Sequence, residues 1–439
     1  MHALRWIPIS CLALASAFLV LPDETVGDSF GSHGPRHERP RGDPALGAAM
    51  RLVEEGRQIF RYDTFGDEAF WGETLRLHEA LATVSPATAL AVGLKVDSEA
   101  LGWRLRRELL RGRVDLDDPA VTAALLKRDA VVGVKGFFDR RGRLDSVGIQ
   151  CALCHSTVDD SLLPGVGRRR DGWANRDLDV GTIISLAPDL SVFTTLLGVD
   201  DATVRSVLKG WGPGKFDASL LLDGKALRPD GKPAAVLIPP AFGLAGVNLH
   251  TWTGWGSVSH WNALVATLEM GGRGTFVDRR LDDAVRFPIA AAQGFSEVRS
   301  DPDLVTSKLP ALQMYQLALL APEPPRGSFD RLAAVRGGAL FDGKANCASC
   351  HVRPLFTEPG HNLHRPEELG IDAFQAGRSP TDAYRTAPLA GLWTHGKGGY
   401  YHDGRFATLR DVVDHYDGWF GLGLDDGEKR DLVAYLRSI

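Results

Sequence analysis

Four cysteines stand in two five-residue stretches, Cys151-Ala-Leu-Cys154-His155 and Cys347-Ala-Ser-Cys350-His351. At the Cys-x-x-Cys-His spacing two thiols can form thioethers with a porphyrin, and the next His binds its iron from the proximal side. The chain therefore carries attachment sequences for two covalently bound c-type haems, with His155 and His351 as proximal ligands. The bland alternatives are weaker. A redox dithiol needs no His after its second Cys. A zinc site would have to pool thiols from Cys154 to Cys347, far beyond ordinary ligand spacing. Two haems in one chain mean that electrons are stored or moved.

The fifth cysteine, Cys11, lies in an apolar run from Ile7 to Leu21 behind Arg5. That is a signal-peptide layout, too short for a comfortable membrane span. A signal segment is expected over 1–25, then a flexible linker over 26–45 rich in Gly, Pro, His and charge. Haem is attached to this motif outside the bacterial cytoplasm, so a periplasmic location is expected, with no stable membrane span after cleavage. The alternative is an uncleaved N-terminal segment that anchors the chain to the inner membrane. A net charge of −5 with 24% charged residues points to no nucleic-acid partner. The 49 glycines and 25 prolines suit small helices joined by long loops around large cofactors.

The elements that must hold these motifs show a rough duplication. Apolar residues at helical spacing run from Ala45 to Phe60, ending in Gly56-Arg-Gln-Ile59-Phe60. Gly337-Gly-Ala-Leu340-Phe341 repeats that pattern just before the second haem motif. Downstream, Leu244-Ala-Gly246, Trp252-Thr-Gly-Trp255-Gly256 and a helix through Trp261, Leu264 and Leu268 parallel Leu389-Ala-Gly391, Tyr400-Tyr-His-Asp-Gly404 and a helix through Leu409, Val412 and Val413. The expected fold is mainly α, with two cytochrome c-like haem domains in tandem, at 46–320 and 326–439. The first carries a helical insertion at 65–130 and a loop-rich one at 156–235. Pro322-Glu-Pro-Pro325 marks the boundary. A last helix should follow Asp425-Asp426, with Leu432, Val433, Leu436 and Ile439 on one face.

Arg385-Thr-Ala-Pro-Leu-Ala-Gly-Leu392, Tyr401-His-Asp-Gly-Arg-Phe-Ala-Thr-Leu409 and Val412-Val-Asp-His-Tyr416 resemble the bacterial di-haem cytochrome c peroxidases, including the di-haem enzyme of methylamine utilisation. The resemblance is strong over 330–439, weaker over 236–275, and nearly absent before 130 and between 156 and 235. It implies an electron-handling C-terminal haem, a peroxide-reactive N-terminal haem, a Trp between them and a distal Glu. It also implies a small periplasmic electron donor, a cytochrome c or cupredoxin, and hydrogen peroxide as substrate. Tyr416 falls where the peroxidases place a Met ligand and the methylamine-utilisation enzyme a Tyr, and no Met follows Met314. Its place on the Leu409, Val412, Val413 face suits a core aromatic equally, and His415 is a rival ligand. His402 matches a haem-side hydrogen-bonding residue.

Trp255, in Trp-Gly where the family has Trp-Asp-Gly, matches the inter-haem Trp, with Trp252 and Trp261 as competitors. Glu269 in Leu268-Glu269-Met270-Gly271 matches the distal acid/base, although it follows Trp255 more closely than in the family and could be a surface residue at a helix end. No His lies between His155 and His250, so an open iron face is expected at the first haem. His78, His250, His260 and Met270 could still reach it. Arg385 and Arg405 are candidates for the haem propionates, because a guanidinium pairs with a carboxylate bidentately. Calcium, which the family binds between its domains, is possible here but its ligands cannot be placed. The expected function is peroxide reduction, or peroxide-driven oxidation of a substrate. The alternative is a di-haem electron-transfer subunit without chemistry of its own.

Overall fold

The Gly-x-x-apolar-Phe pattern builds the same contact twice. The first helix, Pro44–Tyr62, buries Gly56, Ile59 and Phe60. It lies on the helix Leu309–Ala318, where a side chain at Gly56 would collide with the Ala311 carbonyl. Phe60 meets Tyr315 at 5.5 Å and 60°. The helix Arg331–Asp342 repeats this against the closing helix Asp426–Leu436. Gly337 abuts the Asp431 carbonyl, and Phe341 meets Tyr435 at 5.1 Å and 59°. Only a residue without a Cβ lets each pair of backbones approach so closely. Asp425 and Glu428 form a capping box that starts the closing helix, and Leu432, Tyr435 and Leu436 are its buried face.

The computed structural model describes residues 43–439. The expected signal segment at 1–25 and most of the linker at 26–45 lie outside the described residues. Ala45–Ile439 form one compact unit. It is mainly helical with little sheet: among the described residues the strands pair only as two-stranded sheets. No helix among them is long and apolar enough to cross a membrane.

The stretch 65–130 holds the short helices Leu77–Leu81, Pro86–Ala91, Trp103–Leu110 and Pro119–Leu126. Ser85 and Asp118 cap two of them ahead of a proline in the first turn. Trp103–Leu110 buries no residue, as its charge pattern requires. The stretch 156–235 adds the helices Val180–Ile184, Ser191–Leu197, Asp201–Gly210 and Leu220–Asp223. The two insertions share one core: Leu77, Leu101 and Leu126 belong with Ile184, Leu208, Trp211 and Leu153 of the first haem motif. Burying one such side chain is worth about 1.5–3 kcal/mol, so the insertions are a folded housing for that motif.

Candidate functional site

Each haem motif opens into its own cavity. Cys151, Cys154 and His155 line one of about 360 Å³, and Cys347, Cys350 and His351 line another of about 550 Å³. Both fall within the range of about 300–1,000 Å³ typical of ligand and cofactor sites. The four cysteines are free. Burial pushes Cys151 and Cys154 up to about 12 and Cys347 up to about 11, opposite to the shift that activates a redox dithiol. His155 Nδ1 donates to the Pro239 carbonyl at 3.1 Å, and His351 Nδ1 to the Phe356 carbonyl at 3.0 Å. These bonds select the tautomer that leaves each Nε2 free as a ligand. Burial lowers both rings, His155 to about 4, which keeps them neutral.

Two arginines without carboxylate partners, one buried and one half-buried, complete the fit to haem. Arg385 lines both cavities and donates to the carbonyls of Leu249 (2.9 Å) and Thr251, with no carboxylate partner. Arg176 lines the second cavity, is 8% exposed, and has Nε and Nη1 without any partner. Burial pulls each guanidinium down to about 10. Leaving such charges unpaired is costly, and the carboxylates of a haem are the groups they lack. Arg405 does not fit that role. It is bound to Asp372 and Asp403 and lines neither cavity. Nothing in the sequence marks Arg176, which lies in the insertion without a family counterpart.

The wall between the cavities comes from a turn that occurs twice. His250 bridges Gly256, and Tyr400 bridges Phe406. Thr251 and Tyr401 both have positive φ (63° and 68°), as do Gly254 and Gly404 (60° and 78°). Trp252 and His402 therefore occupy equivalent places. Trp252 lines both cavities and donates Nε1 to the Leu237 carbonyl at 2.9 Å. Leu237 N in turn donates to the His402 carbonyl at 2.7 Å. Trp255, expected in this position, lines the first cavity only. It is 5% exposed, stacks on Phe287 at 5.9 Å, and donates Nε1 to Asp278 at 2.9 Å. Trp261 also lines the first cavity alone.

The helix Val258–Leu264 widens into a π-turn, Val265–Glu269, closed by Met270 N donating to the Val265 carbonyl at 2.8 Å. Such turns are frequent at functional sites because they re-aim side chains. Here the turn ends on Glu269, which faces the first cavity. Its Oε1 is sealed from solvent and has no hydrogen-bond partner. Burial, with Asp217 adding to it, pushes this carboxyl well above its usual range. Glu269 thus sits in the wall of the cavity that holds the first haem motif, where burial favours its protonated form. Met270 and His250 also line this cavity, while His78 and His260 do not. His250 Nε2 donates to the Val247 carbonyl at 3.0 Å, and its Nδ1 has no partner.

Tyr416 lines the second cavity from the helix Leu409–Phe420 and stacks on Phe420 at 5.7 Å. Burial raises its phenol. The rival His415 donates Nε2 to the Leu369 carbonyl at 2.9 Å and lines neither cavity. His402 lines the second cavity, stacks on Tyr384 at 4.9 Å, and is pulled down to about 4 by burial. Asp372, His402 and Asp403 come within 4.8 Å of one another. Arg228 and Arg405 pair with those carboxylates, so the cluster is charge-compensated without calcium.

No protein-family model matches the chain. Over 156 residues it is 34% identical to the methylamine utilisation protein MauG of Methylorubrum extorquens, covering 29% of this chain and 42% of that protein. Over 240 residues it is 28% identical to cytochrome-c peroxidase IdrP1 of Denitromonas iodatirespirans, covering 42% of this chain and 63% of that protein. The chain thus spans less than two thirds of either relative's length. A crystal structure of a MauG-like protein associated with microbial copper homeostasis aligns with 49% of this chain and 77% of that one, at 19% identity and a TM-score of 0.32. The two sequence relatives bear out the resemblance to the di-haem cytochrome c peroxidases.

Proposed function

We propose that this relative of the di-haem cytochrome c peroxidases and MauG is an exported di-haem oxidoreductase. It reacts with hydrogen peroxide at the first cavity, with electrons that enter through the second. The observation that carries this reading is Glu269, a carboxyl with an unpartnered, solvent-sealed oxygen in the wall of the cavity that holds His155, where burial favours its protonated form. Haem, held by Cys151, Cys154 and His155 at the first motif and by Cys347, Cys350 and His351 at the second, would supply the redox chemistry on peroxide. The chain supplies the rest. Pro239 orients His155. Glu269 donates its proton to the departing oxygen and recovers one from the oxygen that stays, which is general acid–base catalysis. Apolar side chains from the insertions, among them Phe193, Val204 and Leu208, line the same cavity and limit the water that could carry this proton away. Trp252 spans the wall through which electrons must pass, and Tyr416 is the second cavity's candidate sixth ligand. The donor is a small periplasmic cytochrome c or cupredoxin. Peroxide removal and oxidation of a further substrate use the same groups.

The test is an optical and EPR spectrum of the oxidised holoprotein, before and after peroxide. A high-spin haem that responds to peroxide, and a response slowed in Glu269→Gln, support the reading. Two low-spin haems that ignore peroxide would overturn it in favour of an electron-transfer subunit. A Tyr416→Phe variant with an unaltered spectrum would remove Tyr416 as a ligand.

A further inference from the structure

The helix Trp103–Leu110 belongs to the insertion at 65–130, and none of its residues is buried. Leu105 and Leu109 rest against the core that the insertions share. Trp103, Arg107 and Leu110 follow one another at i, i+4 and i+7, so they occupy one face. That face is open to water: Trp103 is 63% exposed and Leu110 62%. A single exposed apolar residue is ordinary. An indole and a leucine on the same face of an unburied helix form a patch.

The charge around this patch is of one sign. Residues 103–113 hold five arginines and one glutamate, in a chain whose net charge is −5. Arg104 and Arg107 lie over the Trp103 ring at 5.4 and 4.7 Å. Arg106 is used within the fold and donates to the carbonyls of Leu101 (2.8 Å) and Glu99 (3.2 Å). Arg107, Arg111 and Arg113 all turn to Glu108, but only at 3.8, 3.8 and 3.7 Å. One carboxylate thus answers three guanidiniums, each beyond hydrogen-bond length. The acids just downstream are engaged by backbone. Asp115 accepts from Asp117 N at 2.9 Å, and Asp118 caps the next helix through Ala120 N at 2.8 Å.

An indole settles at the headgroup level of a bilayer, a leucine enters the acyl boundary, and guanidiniums meet phosphates. We propose that the helix Trp103–Leu110 is a docking face for a membrane surface rich in anionic phospholipid, on which the protein lies without crossing it. The apolar pair favours lipid over free phosphate, which gives an indole nothing to enter. It favours lipid over an acidic protein as well. Trp103 and Leu110 line none of the three principal cavities, so no groove beside them seats a partner's side chain, and a fluid surface needs none. Docking by this helix turns the housing of the first haem motif, whose core includes Leu153, toward the membrane.

The test is co-sedimentation of the full-chain holoprotein with vesicles of phosphatidylglycerol and phosphatidylcholine in equal parts, against vesicles of phosphatidylcholine alone. The anionic vesicles should be bound about tenfold or more tightly, and salt at about 0.5 M should erase the difference. Trp103→Ala and the double variant Arg107→Gln/Arg111→Gln should each lose about tenfold in affinity for the anionic vesicles. Arg128→Gln, at an exposed arginine of the same insertion outside the helix, should not. All these side chains are exposed, so far-UV circular dichroism and haem absorption should stay at the parent's; if one variant does not fold, the other decides. The apolar run Ile7–Leu21 is common to every variant and contributes equally to each. Equal binding to both kinds of vesicle overturns the proposal. So does parent-like affinity in either helix variant, or an equal loss in Arg128→Gln. A protein that shows no preference for the anionic vesicles, yet binds polyglutamate in a way the arginine variant abolishes, would assign the helix to an acidic protein instead.

Discussion

In an Asp67→Asn variant, stability relative to the parent protein should rise as pH increases from 5 to 8. Asp67 is 0% exposed, and both its oxygens accept from Ile149 N at 3.2 Å, two residues before the first haem motif. Burial pushes its carboxyl from 3.8 up to about 9, with Glu68 and Asp63 adding to the shift and the Ile149 bond opposing it. Between those values the native protein holds a proton that the unfolded chain has released. The folded state then binds more protons, so stability is lost as pH rises through the unfolded value, and the loss is complete near the folded one. Each pH unit is worth about 1.36 kcal/mol, so from pH 5 to 8 the deficit deepens by up to about 4 kcal/mol. Asn keeps an acceptor for Ile149 N and cannot ionise, so it escapes this loss. The assay is chemical unfolding of the holoprotein at pH 5, 6.5 and 8, followed by far-UV circular dichroism. The gap between variant and parent should widen with pH by an amount of this order. A constant gap would refute the reasoning, because Asp67 would then be ionised in the native protein already.

Gly337→Ala places a methyl against the Asp431 backbone, which cannot yield as a side chain can. It should cost about 1–3 kcal/mol or more, read as a lower unfolding midpoint, and Gly56→Ala should do the same against Ala311. Arg176→Gln removes a buried cation from the second cavity, so the reduction potential of the C-terminal haem should fall by on the order of tens of millivolts; an unchanged redox titration would contradict the propionate assignment. Trp252→Phe should slow electron exchange between the haems by about tenfold or more, equivalent to about 1.4 kcal/mol on the barrier. Trp255→Phe should leave that rate alone. Transient absorption after rapid reduction of one haem measures both, and equal rates in the two variants would refute the assignment.

The haem motifs were legible in the sequence because covalent attachment demands thiols and His at a fixed local spacing. The first helix of each half was legible because Gly56 and Gly337 carry the close approach that Phe60 and Phe341 then seal. The partner of the first helix was harder to see. Leu309–Ala318 has Tyr315 four residues after Ala311, as Tyr435 stands four after Asp431, but it lacks the capping acids and charged face that announce Asp426–Leu436. The inter-cavity Trp had a signal too. Trp252-Thr-Gly254 keeps the X-x-Gly spacing of His402-Asp-Gly404, which Trp255-Gly256 does not. What decides between them is the positive φ of Thr251 and Tyr401, which neither residue type favours and no pattern predicts. Arg405 and Arg176 look alike as letters. One is claimed by Asp372 and Asp403, the other is left unpaired, and only the tertiary fold tells them apart.

The duplication also explains why the two cavities are unequal. The repeated turn puts Trp252 at one copy and His402 at the other, so the same backbone presents an indole shared by both cavities and an imidazole confined to the second. The helix after the turn diverges next. In the second half, Thr408 and Asp411 form a capping box, and the regular helix Leu409–Phe420 carries Tyr416 into the cavity. In the first half, Ser257 caps Val258–Leu264, and the π-turn that follows shifts the facing residue to Glu269. One helix thus presents a phenol to the second cavity, and the other presents a carboxyl to the first. The insertions reinforce the difference, since the shared apolar core exists only around the first motif. The difference between the two cavities therefore follows from the π-turn in one helix and from the segments that house the first motif.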